Sequence, residues 1–206
     1  MPRNKLRLQV ALYARPKHPD SYHYALFISP KDFARESTST KPTTATTKHH
    51  VKNTLQVDET TGAATTPWRY EKAVLTHGVE SEPRLLVRIL IAKLSMSREQ
   101  VEEILQSVPI YQVDDDHKSK DTCNDDRKEP PKKLFNCVTW VRDACEALQT
   151  QGAIAGRKLE GWDEIERKSV AYVNQKRAQS RWDGSWKGGS RGVPLMDLNG
   201  GQEIVE

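Results

Sequence analysis

Apolar and polar residues alternate along Lys5–Arg15 (KLRLQVALYAR), where Leu6, Leu8, Val10 and Leu12 repeat with the period of two that predicts a strand. Pro16–Asp20 reads as a turn, and Tyr22–Ser29 (YHYALFIS) as a second strand rich in aromatic and branched residues. Three more apolar runs, His49–Val57, Trp68–Leu75 and Leu85–Leu94, are bounded by Gly, Pro or Thr-rich punctuation and predict three further strands. Residues 30–47 carry the tract STSTKPTTATT, which has no apolar area to bury and is expected to be a flexible loop. At Ser97-Arg-Glu-Gln100 the period changes from two to 3.6. This capping box opens a helix that places Val101, Ile104, Leu105 and Val108 on one face and stops at Pro109. Ile110–Val113 is a short extended piece, and 114–133, dense in charge of both signs, reads as a flexible insertion. Asn136 then caps a helix with Val138, Val141, Ala144, Cys145 and Leu148 at helical spacing, stopping at Gly152. A last helix is predicted over Trp162–Trp182, and 183–206 reads as a mostly disordered tail. Five strands followed by three helices, with no internal repeat, predict an α+β fold: an antiparallel sheet with packed helices.

The chain has 206 residues, enough for a single catalytic domain over 1–182 plus the tail. Hydrophobic residues make up 36% and mean hydropathy is −0.75, so the core is expected to be small for this length. No apolar run approaches the ~20 residues that span a bilayer, and the start, Met1-Pro-Arg-Asn-Lys, does not resemble a secretory leader. Three cysteines are too few for a disulfide scaffold. Together these features predict a cytoplasmic protein with free thiols and no membrane partner. Cys123, Cys137, His117 and His50 lack metal-ligand spacing, and there is no phosphate loop or dinucleotide fingerprint, so neither metal nor cofactor is expected. The net charge of +4 permits a polyanionic partner without requiring one. The basic residues concentrate in Lys168–Arg191, where Lys176, Arg177 and Arg181 could track phosphates on an exposed helix face and Trp182 and Trp186 could stack on a base.

Cys137 is the first candidate for chemistry. In the first turn of a capped helix, free backbone amides and the helix dipole favour a thiolate, which is expected below the ~8.5 of a free thiol. Cys145, one helical face further on, reads as core, as does Trp140. His23 lies in a strand otherwise apolar, and His49 and His50 sit on opposite faces of the next strand, so one of them can face His23. A helix-start thiol, a strand imidazole and a polar group orienting that imidazole make up a thiol-nucleophile set. Gln112 and Asn136 could donate to an oxyanion. Glu71 and Asp114 could hold a guanidinium, although acids in loops are more often simply solvated.

The order His23-Tyr-Ala-Leu-Phe-Ile first, His50 next and Asn136-Cys137 last resembles the circularly permuted papain-like fold of lecithin retinol acyltransferase-type enzymes. That resemblance implies Cys137 as nucleophile, His23 as general base and His50 as its orienter. The polar segment after the Cys137 helix departs from those lipid enzymes, which carry a hydrophobic anchor there. The motifs His50-Val-Lys-Asn53, Trp68-Arg-Tyr-Glu71, Val108-Pro-Ile-Tyr-Gln112 and Cys137-Val-Thr-Trp-Val141 are similar to those of a fungal family of arginine-containing cyclodipeptide synthases. This second resemblance implies arginyl-tRNA and another aminoacyl-tRNA as substrates, and an aminoacyl thioester on Cys137. A thiol isopeptidase or peptidase, a lipid acyltransferase, and a binding module without chemistry remain the alternative readings.

Overall fold

A computed structural model describes residues 5–31, 45–112, 135–188 and 192–205. The alternating segments form strands as expected: β1 (Arg7–Ala14), β2 (Tyr22–Ser29) and β3 (Thr47–Asn53). A small hairpin of β4 (Gln56–Val57) and β5 (Ala64–Thr65) then precedes β6 (Trp68–Val74) and β7 (Leu85–Leu94). The helices are α1 (Arg98–Ser107), α2 (Cys137–Thr150) and α3 (Trp162–Ala178), with a two-residue strand β8 (Ile154–Ala155) between the last two. The Ser97–Gln100 capping box is present at the start of α1. Most of 30–47 and all of 114–133 lie outside the described residues, and Asp114, His117 and Cys123 with them; Thr47, the last residue of the first segment, opens β3.

Apart from the β4–β5 hairpin, the described strands, which end with β9 (Leu195–Asp197) and β10 (Glu203–Val205), form one large, mostly antiparallel sheet in the order β10-β9-β7-β1-β2-β3-β6, with β8 paired to β7. Period-two alternation gives the sheet two faces. Leu8, Val10, Leu12, Tyr24, Leu26, Ile28, Val51, Val87 and Ile89 cluster with Leu105, Trp140, Val141, Leu148, Ile165 and Val173 from the three helices. The opposite face carries a smaller cluster of Ala11, Tyr13, Ala25, Phe27 and Leu85, covered by Leu75 and Val79. Among the described residues no helix is long and apolar enough to cross a membrane.

The C-terminal segment corrects the sequence expectation. Instead of a disordered tail, Leu195–Asp197 forms β9, parallel to β7, and Glu203–Val205 forms β10 beside it. Leu195 is fully buried, and the buried Arg88 donates from Nη2 to the Val193 carbonyl at 3.1 Å. Two three-residue strands in a Gly-rich stretch are too short to show any periodicity, so the sequence carries no local signal for them.

One departure from regular pairing positions the site. β1 and β2 pair along their full length to Ala14↔Tyr22, and β3 and β6 pair to Asn53↔Trp68, but β2 and β3 pair only from Leu26↔His49 to Ile28↔Thr47. Beyond Leu26 the two strands part. Tyr22–Ala25 and His50–Asn53 therefore bound an opening in the sheet.

Candidate active site

Register dictates what meets across that opening. Continuing the β2–β3 pairing sets Ala25 opposite His50, so His50 shares a sheet face with His23, its diagonal neighbour. His50 is also the direct partner of Glu71 on β6. The side chains follow suit: His23 Nε2 lies 2.7 Å from His50 Nδ1, and His50 Nε2 lies 3.4 Å from Glu71 Oε1. Lys52 pairs with the other Glu71 oxygen and is the main reason its carboxyl stays below the usual carboxylate range. An ionised Glu71 accepts from His50 Nε2–H, which makes His50 Nδ1 an acceptor for His23 Nε2–H. The lone pair of His23 is thereby fixed on Nδ1. Burial, then the charge of His50, Arg15, Lys48 and Lys52, depresses His23 to about 3, so the imidazole is a neutral base at neutral pH.

Cys137 enters from the helical side. Asn136 caps α2 as predicted, its Oδ1 accepting from Val138 N–H at 2.8 Å and Thr139 N–H at 3.0 Å. Thr139 Oγ1 completes the capping box by accepting from Asn136 N–H at 2.9 Å. The backbone amides of Tyr24, next to His23 on the parted stretch of β2, and of Cys137 itself are directed at the thiol and favour its charged form. Burial outweighs them. Cys137 is only 6% exposed and its thiol pKa is pushed above the ordinary value, which corrects the expectation of a depressed one. Cys145, buried with no such amides, is pushed up to about 12. Among the described residues Cys137 has no hydrogen bond to His23 or His50. The resting site holds a neutral thiol and a neutral imidazole that line one cavity of about 1040 Å³. Among the described residues Nδ1 of His23 carries no hydrogen bond, so it is the ring atom left to accept from a donor in the cavity.

The cavity is also lined by Tyr13, Arg15, Lys48, Asn53, Trp68, Glu82, Arg84, Asn136 and Glu166. Lys48 donates to Glu82 at 2.6 Å, and the Tyr13 hydroxyl donates to the same carboxylate at 2.8 Å. Sequence reasoning missed this trio because its members lie on three different segments. The shared parity of Tyr13 with His23 and of Lys48 with His50 was the available signal.

Three expected roles change. Gln112 exchanges two hydrogen bonds with the Trp68 backbone, at 2.8 and 2.9 Å, so its amide holds the start of the edge strand β6 rather than an oxyanion. Asn136 keeps its side-chain oxygen in the cap, which leaves its NH₂ as the group able to donate. Glu71 serves His50 and Lys52 in place of a guanidinium. Lys176, Arg177 and Arg181 do not form one exposed row along α3, which ends at Ala178. Lys176 is 1% exposed and ion-paired with Glu203 of β10, while Arg181 stacks over the Trp186 ring at 4.8 Å and donates to the Gly192 carbonyl at 2.5 Å. Arg177 remains exposed and donates to the Tyr22 hydroxyl at 3.3 Å. Asp114 lies outside the described residues.

Comparison with known proteins finds no match among curated proteins and none among solved structures. A scan against protein families matches residues 5–205 to a family of unknown function, DUF6914. The match takes in every element described above, and the chain belongs to that family.

Proposed function

We propose that the chain is a cysteine-dependent acyltransferase of permuted papain-like arrangement, which forms an acyl-thioester on Cys137 and passes the acyl group to an amine. The observation that supports this reading is the chain Glu71–His50–His23, which fixes a neutral base with its lone pair on Nδ1 in the cavity that holds a capped-helix thiol. In the first step His23 Nδ1 takes the Sγ proton as sulfur attacks the carbonyl carbon of an ester donor. The carbonyl oxygen becomes an oxyanion beside the Tyr24 and Cys137 amides. Collapse expels the donor alkoxide, which takes the proton back from His23. An α-amine then attacks the thioester, amide formation regenerates the thiol, and a second round closes a ring. A thiol with so little exposure favours aminolysis over hydrolysis, because bulk water has poor access to the thioester. The substrate class this reading takes is aminoacyl-tRNA, arginyl-tRNA and a second one, with a cyclic dipeptide as product.

The test is expression of the chain in a simple host, with metabolite profiling against Cys137→Ala. New cyclic dipeptides that vanish in the variant are the expected result. Free acid release without amide product identifies a hydrolase. A profile indifferent to Cys137→Ala, with no acyl adduct on the intact protein, rejects the catalytic reading.

A further inference from the structure

The cavity has a cationic rim that the chemistry above does not use. Arg15 and Lys17 sit on the turn after β1, and Arg84 sits immediately before β7. All three line the cavity and are exposed. The Ala14 amide donates to the Arg84 carbonyl at 2.8 Å, so Arg15 and Arg84 start from neighbouring backbone. The other charged lining residues are mostly engaged: Glu82 with Lys48 and Tyr13, Lys52 with Glu71, and Glu166 as acceptor from Trp162 Nε1 at 3.0 Å. Arg15 reaches only the Ser21 hydroxyl among the described residues, at 3.3 Å. Among the described residues no carboxylate stands within ion-pair distance of Arg15, Lys17 or Arg84, although Asp20 lines the same cavity. Cations that share one cavity rim without a counter-charge repel one another and are relieved by an anion. Arg84 also holds a backbone φ of +65°, a left-handed conformation that non-glycine residues adopt at a cost. Such a conformation kept at a cavity mouth, on a residue that fills no core, points to a role for the side chain it presents.

We infer that Arg15, Lys17 and Arg84 form an anion subsite that receives the phosphate groups of the acyl donor. The inference rests on the acyl-transfer reading for the word donor, and on geometry for the subsite. Arginine forks match phosphate oxygens two at a time, and a third cation adds charge without demanding orientation. The cavity suits such a ligand. At about 1040 Å³ it lies at the upper end of ligand-site volumes of roughly 300–1,000 Å³, room for an acyl group together with the end of a carrier. Arg15 is also close enough to favour the thiolate of Cys137 and to disfavour protonation of His23, so the subsite adjoins the reacting groups. This places the phosphate contacts at the mouth of the cavity, not at the end of α3, where Lys176 and the Arg181 that follows the helix hold the C-terminal segment.

The shared ligand chemistry is a phosphate ester beside an acyl carrier, and two probes distinguish its sources: a CCA-ended RNA minihelix and coenzyme A. Binding is measured by fluorescence anisotropy and calorimetry from 50 to 400 mM salt, using the full chain with Cys137→Ala so that nothing turns over. The variant Arg15→Gln/Lys17→Gln/Arg84→Gln should weaken the minihelix at least tenfold and flatten its salt slope by about two, each lost phosphate contact removing roughly 0.7–0.9. Arg157→Gln/Lys158→Gln, exposed cations outside the cavity lining, should change neither. Arg84→Gly, which removes the charge and suits the positive φ, gives a second variant if the triple one folds poorly. Rim-dependent binding of coenzyme A alone assigns the subsite to a nucleotide thioester donor. Binding of both probes unchanged in the rim variants, or weakened equally by the control pair, overturns the inference. Acyl adduct formation on the wild-type protein is scored separately, so a silent Cys137 with rim-dependent binding rejects the transfer reading and leaves the subsite standing.

Discussion

His49 and His50 are neighbours on β3, and the sheet sends them to opposite faces with networks of similar composition. His49 is fully buried on the helical side, its Nδ1 2.6 Å from the Tyr70 hydroxyl and its Nε2 3.0 Å from Thr47 Oγ1, with Glu102 at 3.9 Å. Tyr70 in turn packs against Trp140 of α2, ring centroids 5.7 Å apart. His50 faces the parted strands, bonded to His23 and Glu71, and lines the cavity. Both imidazoles are neutral, each depressed chiefly by burial. Neither residue type nor protonation separates them. Access does: one network ends at a cavity and a thiol, the other ends in the core, where a polar group contributes only if its partners remain in place.

Alanine at each position breaks the comparison most sharply. His50→Ala should leave the fold nearly intact, yet slow acyl-adduct formation on Cys137 by about 10²-fold or more, within the range lost when a general base is removed or left unoriented. His49→Ala should do the reverse. It leaves a void and strands the Tyr70 and Thr47 hydroxyls in the core, a loss of about 2–4 kcal/mol in unfolding free energy with little change in rate per folded molecule. Chemical denaturation alongside single-turnover adduct formation checks both. Equal activity loss at the two positions would mean that His50 is as structural as His49.

Acid should expose the buried histidine next. His49 is held at about 3 in the folded chain against an ordinary 6.5, so between these values the unfolded state binds the extra proton. Stability therefore rises with pH across that window and is fully present above it. Each such group contributes a slope of about 1.4 kcal/mol per pH unit. His23, also near 3 and partly accessible, adds to the slope. Urea midpoints measured from pH 7 down to pH 4.5 should fall steadily, and in His49→Gln the fall should be shallower by about one proton's worth. An unchanged slope in that variant would show that His49 is not the group resisting protonation.

How much of this was legible beforehand depends on the range of the signal. The five main strands, the Ser97 cap and the Asn136 cap are set by local periodicity and hydrogen bonding, and they appear close to where the pattern puts them. His23 and His50 could be paired in advance because β2 and β3 are consecutive, and consecutive strands tend to be neighbours. Glu71 could not be given its role, since the β3–β6 register that sets it opposite His50 spans a hairpin the alternation does not reveal. Lys176 departs from its expected role for a related reason. Its helix has basic residues in the last turn, and only the Glu203 strand arriving from 27 residues downstream turns one of them into a buried ion pair. The thiol pKa departs from expectation because helix-start amides are visible in sequence and the depth of burial above them is not.

The smallest expected effect tests the far end of the cavity network. Glu71 is not in contact with Cys137, so its influence passes through His50 and then His23, and a positioning role predicts loss of rate without loss of binding. Glu71→Gln keeps the shape and a hydrogen-bonding oxygen but removes the charge that holds His50 Nε2 as the donor. The amide can turn its NH₂ toward His50, which would move the His50 proton to Nδ1 and set two N–H groups against each other at the 2.7 Å contact with His23. The lone pair then leaves Nδ1 of His23 for a fraction of the population, and adduct formation on Cys137 should slow by about tenfold, equivalent to roughly 1.4 kcal/mol. A rate profile in pH separates this from a simple charge effect. The Glu71 carboxylate favours protonation of His50, so its removal lowers that group's pKa further and should shift the acid limb of the profile downward. Glu71→Asp, which restores charge at a shorter reach, should recover part of the rate. A rate unchanged in Glu71→Gln would confine the working network to the two histidines and leave Glu71 as the partner of Lys52 alone.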